Sequence, residues 1–215
     1  MHGLPALVED LAAEIGDGRV LAALGAVDRA RFVPPSLRWR AYEDVALPLP
    51  GGQAISQPRV VARMLELLEL TGRERVLDVG TGSGYHAALL AQLAGEVISI
   101  ERDPALSASA VVALADSGAA RVVCIVGDGW LGAPLTAPYD AISVTATPGE
   151  RMPRALVEQL GRRGRLVAPL ATGSPDDGSG PQVLTRLRRG EDGTLSEPER
   201  FERVAFVPLV APDRG

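Results

Sequence analysis

The sequence predicts a doubly wound α/β fold built around a mostly parallel sheet. From residue 75 onwards, strand candidates alternate with segments of helical length, and the first strands are apolar at nearly every position. This pattern is typical of a parallel sheet that is covered on both faces. A glycine-rich turn, DVGTGSG, follows the first of these strands. Because ligands of open α/β sheets lie at such strand-to-helix turns, the turn is the first candidate site.

Seven strand candidates make up the predicted sheet. They span residues 75–79, 96–100, 121–126, 140–146, 165–170, 182–187 and 203–209, and helices are predicted at 85–94, 105–116 and 154–160. The segment between the last two strands has no helical periodicity, so an antiparallel hairpin fits better there than a crossover. We therefore expect an antiparallel C-terminal edge.

The residues before the sheet predict helices and one irregular segment. Apolar residues recur at helical intervals over 6–24, with an interruption near GDG, and again over 58–70, where Ser56 or Gln57 is a candidate N-cap. The prolines in 32–53 exclude regular structure and suggest a ligand or substrate loop.

The length of 215 residues predicts one domain. We divide it into N-terminal helices with a substrate loop (1–70), a cofactor-binding core (71–171), and a C-terminal loop with edge strands (172–215). Within the last part, the Gly/Ser/Pro/Asp-rich stretch 172–182 is predicted to be an exposed loop.

The composition excludes several functions. The net charge is −5 and all 22 Lys and Arg residues are arginines, whereas a general nucleic-acid binder carries a basic excess. No apolar run approaches the ~20 residues that span a bilayer, and the N-terminus lacks the basic start and apolar centre of a secretion signal. We expect a cytoplasmic monomer that binds neither nucleic acid nor membrane.

Metal chemistry is also not expected. The sequence has one cysteine and two histidines, which provide no metal-ligand spacing. Cys124 lies in the apolar run RVVCIV and is predicted to be an inert core residue.

The glycine turn favours a nucleoside ligand that carries a positive charge. Gly80, Gly82 and Gly84 can adopt positive φ and let backbone amides approach a ligand. Their spacing is G-x-G-x-G, however, and the dinucleotide fingerprint is G-x-G-x-x-G. Asp78 precedes the glycines, where a carboxylate suits a cationic group and would repel a pyrophosphate. S-adenosylmethionine fits this arrangement better than NAD, although a plain tight turn would also explain the glycines alone.

Two further acids strengthen this interpretation. Glu101 ends the second strand, where it can accept hydrogen bonds from both ribose hydroxyls, and Asp128 ends the third, where it can face an adenine amino group. Trp130 either stacks on the base or packs at the surface. His86 is interpreted as a supporting or solvent-facing residue rather than a catalytic base. Three acids at successive strand ends favour a cofactor site over a simple turn.

Longer stretches resemble the protein-L-isoaspartate O-methyltransferase family over about residues 20–209. The matching stretches are RFVPPSLRWRAYEDVALPLPGGQAISQP, VLDVGTGSGYHAALLAQLAGEVISIERDP, GDGWLGAPLTAPYDAISVTATP and LVEQLGRRGRLVAPL. The part AYEDVALPLPGGQAISQP is specific, because other methyltransferases do not carry it. The resemblance implies a Rossmann-like class I methyltransferase fold. It also implies transfer of a methyl group from S-adenosylmethionine to the free α-carboxylate of L-isoaspartyl residues in damaged proteins or peptides, with S-adenosylhomocysteine as product. The ester then collapses to a succinimide, whose hydrolysis returns some aspartate.

The resemblance also implies roles for particular residues. Ser56 matches the family's active-site serine. The expected cofactor-binding residues are Asp78, Gly80, Thr81, Gly82, Ser83, Gly84, Glu101, Asp128 and Gly129. The expected substrate-binding residues are Gln53, Ala54, Ile55, Ser56, Val144, Thr145 and Ala146, and no metal ligand is expected. Two positions depart from the family: Ala54 stands where threonine is common, and His86 where glutamine is common.

Several alternatives remain open. From spacing alone, Ser56 is equally well explained as a helix N-cap, and the two roles can coexist. A related methyltransferase that modifies a normal aspartate of one partner peptide would share the same cofactor site. An NAD-dependent oxidoreductase and a non-catalytic cofactor-binding protein are further alternatives.

Overall fold

The computed structural model describes residues 3–173 and 180–210, which form nine strands and six α-helices. The strands are β1 (Leu47–Pro48), β2 (Ala54–Ile55), β3 (Arg75–Val79), β4 (Glu96–Glu101), β5 (Val123–Val126), β6 (Tyr139–Val144), β7 (Leu160–Ala171), β8 (Gln182–Arg188) and β9 (Glu199–Val204). The helices are α1 (Leu4–Leu11), α2 (Gly18–Ala26), α3 (Pro58–Leu67), α4 (Tyr85–Leu93), α5 (Pro104–Asp116) and α6 (Arg154–Gln159).

The main sheet has seven strands in the order β5-β4-β3-β6-β7-β8-β9. The pairs from β5 to β7 are parallel, and β8 pairs antiparallel with both β7 and β9. The predicted fold class and its antiparallel C-terminal edge are confirmed. The chain proceeds from β3 in one direction to β4 and β5, and then returns to the other side of β3 as β6. This reversal opens a crevice at the carboxyl ends of β3 and β6, where ligands of such sheets bind.

Most predicted elements lie within a few residues of their observed positions, but the last strand was placed wrongly. The strand runs over Glu199–Val204, whereas the apolar run 203–209 predicts it further along the chain. Charged side chains on this edge strand weaken its strand signal, and the apolar residues after it leave the sheet. The predicted loop 172–182 is described only at its ends, since 174–179 lie outside the described residues.

Both faces of the central strands are covered, so the sheet separates two apolar cores. Val76 packs with α3, α4 and the N-terminal helices, while Leu77 and Val79 pack on the opposite side with Ile142 and Leu156. Alternate residues of a strand point to opposite faces, which explains this division. The central strands are therefore rigid supports for whatever side chains stand at their carboxyl ends.

The predicted interruption of the N-terminal helical segment near GDG is confirmed, and the prediction for 32–53 needs a correction. The periodic segment 6–24 forms two helices, and Asp17 caps the second by accepting a hydrogen bond from the Arg19 backbone N–H. The irregular stretch 32–53 contains short 3-10 turns and the strand β1, which pairs with β2. Proline disfavours long ladders, but it tolerates this two-residue pairing. None of the helices in the described ranges is long and apolar enough to cross a membrane.

Arginines fasten the antiparallel edge to the end of α3. Arg186 binds Glu69 at 3.0 Å and Glu199 at 2.6 Å, and Arg188 binds the same two carboxylates. The guanidinium of Arg186 also lies 5.3 Å from the ring centroid of Phe201. Arg186 is only 8% exposed, and the network links β8 and β9 to Glu69, which closely follows α3.

Candidate active site

A cavity of about 850 Å³, including its open mouth, lies at the carboxyl ends of β3, β4 and β6. Three segments that are distant in sequence meet there. They are the turn after β3 (79–83), the segment around β2 (53–56), and the residues that follow β9 (207–210). The strand-end wall is completed by residues 100–102, 128–129 and 145–146.

The turn after β3 is shaped as the glycines predict. Gly80, Gly82 and Gly84 have φ values of 97°, 54° and 89°. A Cβ on Gly80 would lie 2.6 Å from Oγ1 of Thr145, which donates hydrogen bonds to the carbonyls of Val79 and Gly80. Glycine at position 80 thus allows both the positive φ of the turn and its close packing against Thr145.

Two of the predicted acids reach the cavity. The Glu101 carboxylate accepts hydrogen bonds from the backbone N–H groups of Gly82 (2.9 Å) and Asp103 (3.1 Å), which fix both of its oxygens beside the glycine turn. Asp128 also lines the cavity and accepts a hydrogen bond from the Trp130 backbone N–H at 2.9 Å. Both carboxylates retain lone pairs for a ligand's hydroxyl or amino groups.

Asp78 lies behind the cavity wall, which differs from the predicted contact with a cationic group. Its side chain is fully buried, and Oδ2 accepts a hydrogen bond from Ser99 Oγ at 2.7 Å. Thr81 Oγ1 lies 2.6 Å from the same Ser99 oxygen. Ser99 has one hydroxyl proton, which goes to Asp78, so the Thr81 hydroxyl donates to Ser99. Asp78 therefore reaches the cavity only through Ser99 and Thr81.

Burial strongly alters the ionisation of Asp78. Removing the carboxylate from water raises its pKa to about 7, with the nearby Glu101 charge acting in the same direction and the Ser99 hydrogen bond opposing. Its Oδ1 atom has no hydrogen-bond partner within the described part of the chain. Near neutral pH, Asp78 is therefore present in both its protonated and its ionised form.

His86 is buried, and the solvent-facing interpretation is wrong. Only 6% of the residue is exposed, and its Nε2 lies 3.0 Å from Oγ of Ser143. Burial lowers the pKa of His86 to about 4, so the ring is neutral at neutral pH. The side chain contributes to the cavity lining without offering a charged group.

Two more predicted site residues do not reach the cavity. Gly84 supports the site from outside, because a Cβ there would approach the Leu114 side chain of α5 to 3.2 Å. Val144 is fully buried in the core of the sheet. Its neighbours Thr145 and Ala146 line the cavity, since the strand ends there and the following residues turn toward the opening.

Ser56 stands where two depressions meet. It lines the main cavity together with Gln53, Ala54 and Ile55, and it also lines an adjoining groove bounded by residues 203–207. The N-cap of α3 is Gln57, and it makes no capping hydrogen bond through its own side chain. Capping comes instead from Asp44, which accepts hydrogen bonds from the Arg59 backbone N–H and the Gln57 side chain, both at 2.8 Å. The helix start therefore does not need the Ser56 hydroxyl.

The segment after β9 was missed as part of the site. Thr147 donates to the carbonyl of Val207 at 2.8 Å and accepts from the N–H of Leu209 at 2.7 Å, so the segment crosses back to the end of β6. Trp130 Nε1 donates to the Leu209 carbonyl at 3.1 Å and is not part of the cavity lining. Trp130 therefore packs and anchors this segment. A proline-containing apolar run after a charged strand was the only signal in the sequence.

The described residues hold no group of three or more His, Cys, Asp or Glu side chains suited to a metal ion. Cys124 is a free thiol that is half-buried on β5, and burial raises its pKa. A reactive thiol is not favoured by such a shift. The chemistry available in the cavity is therefore that of backbone amides, carboxylates and hydroxyls.

The fold and the cavity together define a class I methyltransferase that uses S-adenosylmethionine. The glycine turn offers the backbone cradle, and the carboxylates of Glu101 and Asp128 face the same space, which suits a nucleoside with hydroxyl and amino groups. These observations fit the cofactor that the sequence predicts.

Comparisons with known proteins specify the family. Residues 5–214 match the family model of protein-L-isoaspartate(D-aspartate) O-methyltransferase, and the chain belongs to this family. A protein-L-isoaspartate O-methyltransferase of Methanoculleus marisnigri is 47% identical over 91% of this chain and 85% of its own length. A protein-L-isoaspartate O-methyltransferase of Anaeromyxobacter dehalogenans is 51% identical over 91% of this chain and 91% of its own length.

Solved structures agree with this assignment. A protein-L-isoaspartate O-methyltransferase structure superposes with a TM-score of 0.83 at 25% identity, over 97% of this chain and 66% of that chain. A Plasmodium falciparum structure described as a member of the same class, in complex with S-adenosylhomocysteine, has a TM-score of 0.83 at 23% identity and covers 98% of this chain and 99% of its own. At 23% identity, the Plasmodium falciparum structure supports the fold assignment alone.

Proposed function

We propose that this protein transfers the methyl group of S-adenosylmethionine to the α-carboxylate of L-isoaspartyl residues in damaged proteins or peptides, which starts repair through a succinimide. One observation carries the proposal beyond family membership. Ser56 and its neighbours in β2 line the same cavity as the glycine turn and Glu101. A methyl donor on one side and an acceptor on the other would thus meet within one cavity.

The cofactor would be held mainly by the turn after β3. The main chain of Gly80 and Gly82 lines the cavity, Glu101 is placed to accept hydrogen bonds from ribose hydroxyls, and Asp128 is placed to face the base. When bound, S-adenosylmethionine supplies an electrophilic methyl group on a positively charged sulfur. Thr81, Ser83 and Gly129 line the same region and complete the proposed cofactor site.

The acceptor needs no general base from the protein. A substrate carboxylate is already ionised at neutral pH, and the nearby His86 is neutral and bonded to Ser143. Methyl transfer would remove the negative charge of the carboxylate and the positive charge of the methyl donor together. A neutral hydrogen-bond donor therefore suits the acceptor carboxylate better than an arginine clamp. The Ser56 hydroxyl is placed to orient the carboxylate, and positioning of this kind can supply several kcal/mol.

The remaining substrate contacts are proposed from the shape of the site. Gln53, Ala54 and Ile55 line the cavity beside Ser56, and Thr145 and Ala146 also line it. The adjoining groove extends past Ser56 toward residues 203–207. An extended polypeptide on either side of the isoaspartyl residue would find room there.

Ser56→Ala tests the assignment of the acceptor side. Removing one positioned donor typically costs about 100-fold in turnover, while binding of S-adenosylhomocysteine should remain close to that of the wild type. Methyl transfer to an isoaspartyl peptide and calorimetry measure the two quantities. Ser36→Ala, at an exposed position, controls for loss of a serine hydroxyl. Equal losses of turnover and cofactor binding would defeat the assignment.

A second candidate is methylation of a normal aspartate in one partner peptide. Ala54 favours it, because this residue lines both the cavity and the groove and lacks the hydroxyl that is common in the family. Comparing an isoaspartyl peptide with its aspartyl counterpart separates the two candidates. Stabilisation by NAD in a thermal shift assay would support an oxidoreductase instead, and cofactor binding without methyl transfer to either peptide would indicate a non-catalytic protein.

We also propose that the protein is a cytoplasmic monomer. Its three sequence regions, 1–70, 71–171 and 172–215, would form one domain with one active site. The net charge of −5 supports the absence of a nucleic-acid partner. Gel filtration with light scattering, with and without S-adenosylhomocysteine, tests the oligomeric state directly.

A further inference from the structure

Arg29 is a buried arginine with an unusual set of partners. It lies in the 3-10 turn Arg29–Phe32 and has no exposed surface. Nη1 donates to the carbonyls of Ala41 (2.9 Å) and Glu43 (3.3 Å), and Nη2 donates to those of Val45 (2.9 Å) and Ser56 (3.0 Å). All four of these acceptors are backbone oxygens rather than carboxylates. Within the described part of the molecule, the hydrogen bonds of the guanidinium therefore go to main chain alone, and Nε has no hydrogen-bond partner.

A charge buried in this way is costly unless its hydrogen bonds are satisfied. Burial lowers the pKa of Arg29 to about 10, so the side chain remains protonated at neutral pH. An apolar residue of similar volume would fill the space without that desolvation cost. An arginine at this position is therefore better explained by the arrangement in which it holds the four carbonyl groups than by a gain in stability.

The four carbonyls lie at the two ends of residues 41–56, which we call the acceptor segment because it carries Ser56. Three belong to residues 41–45, the fourth belongs to Ser56, and the stretch between them carries β1 and β2. Arg29 therefore ties the start of this stretch to its end. Asp44 makes a parallel connection by capping α3 directly after Ser56. Fixing the Ser56 carbonyl constrains the backbone on which its hydroxyl is carried.

Arg29 also contacts the cofactor side of the site. Its guanidinium carbon lies 5.9 Å from the ring centroid of Tyr85, and the same ring lies 5.6 Å from Phe32. Tyr85 begins α4 immediately after the glycine turn and lines the cavity. One side chain is thus shared between the segment that carries Ser56 and the helix that follows the glycine turn.

We propose that Arg29 is the positioning residue that sets the distance and orientation of the acceptor segment relative to the methyl donor. It does not line the cavity and acts through the Ser56 backbone and Tyr85. Its positive charge stands behind Ser56, so it does not clamp the substrate carboxylate. The inference rests on the proposed function, since it specifies how that function's acceptor is held.

Arg29→Met and Arg29→Lys test this role, with Arg31→Met as a matched control. Arg31 belongs to the same turn, is half-exposed and binds the Asp116 carbonyl. A displacement of about 1 Å can cost about 100-fold in rate, so we expect a loss of that order in kcat/KM for an isoaspartyl peptide with Arg29→Met. Lysine keeps the positive charge but cannot donate to four carbonyls. Arg29→Lys should therefore also lower kcat/KM, but by less than Arg29→Met. S-adenosylhomocysteine binding should change by no more than about twofold.

Combining the variants with Ser56→Ala distinguishes positioning from general destabilisation. If Arg29 acts through Ser56, Arg29→Lys should lower kcat far less in the Ser56→Ala background than in the wild type. Equal effects in both backgrounds, wild-type kinetics for Arg29→Lys, or parallel losses of cofactor binding and activity would each overturn the inference. If Arg29→Met does not fold, the comparison of Arg29→Lys in the wild-type and Ser56→Ala backgrounds decides alone. An inactive wild type would instead refute the proposed function, so the two failures are distinguishable.

Discussion

Replacing Asp78 with asparagine should remove a specific pH dependence of stability. The buried carboxyl has a pKa of about 7, against 3.8 for an ordinary aspartate. Because the folded state binds this proton more tightly than the unfolded state, the stabilisation it provides is fully present below pH 3.8 and is lost as pH rises through about 7. A difference of about 3 pKa units corresponds to ~4 kcal/mol of unfolding free energy.

Urea unfolding of wild type and Asp78→Asn across this pH range measures the effect. The stability of the wild type relative to the variant should fall by ~4 kcal/mol between about pH 4 and pH 8. His86 has the opposite sign, because its lowered pKa costs stability as pH falls from 6.5 toward 4. It is present in both proteins and largely cancels in the difference. Glu9→Gln, at an exposed site on α1, controls for the removal of one acidic group. Parallel stability curves for the wild type and Asp78→Asn would refute the assignment of this buried proton.

Two further substitutions test the glycine turn and the arginine network. Gly80→Ala places a Cβ 2.6 Å from Thr145 Oγ1 at a φ of 97°; it should destabilise the fold by ~1–3 kcal/mol and weaken S-adenosylhomocysteine binding in calorimetry. Gly118→Ala, with φ of 81° and nothing within 4 Å, controls for backbone strain alone, and equal binding losses in both would contradict the steric argument. Arg186→Met should lower the free energy of unfolding in urea by ~2 kcal/mol with little change in peptide KM, whereas Arg200→Met, at an exposed position on the adjacent strand β9, should change neither.

The parallel part of the sheet could be predicted closely because its signal is local. The strand 75–79 is apolar on both faces, is followed by glycines, and appears in the structure with the same bounds. The edge strand β9 could not be placed in this way. Its stability comes from pairing with β8 and from the ion pairs of Glu199, and neither contact is visible in a run of neighbouring residues.

The cofactor side of the site was also accessible from the sequence, but the depth of its side chains was not. Strand ends predicted that Glu101 and Asp128 face the crevice, as they do. The same reasoning placed Asp78 there, because a pattern cannot show that a residue one position earlier turns toward the buried Ser99. Arg29 gave no signal, since its acceptors lie 12 to 27 residues away and are backbone atoms.

The two halves of the site are stabilised by different forces, and this has a consequence for variation. The glycine turn is continuous with apolar strands, so changes there disturb the core of the sheet. The acceptor segment is held largely by polar contacts to its backbone, from Arg29 and Asp44. Directional hydrogen bonds fix geometry while adding modest net stability. Substitutions among the exposed residues of this segment, such as Ala54, should therefore alter substrate use with little loss of stability, whereas substitutions in the turn should affect cofactor binding and stability together.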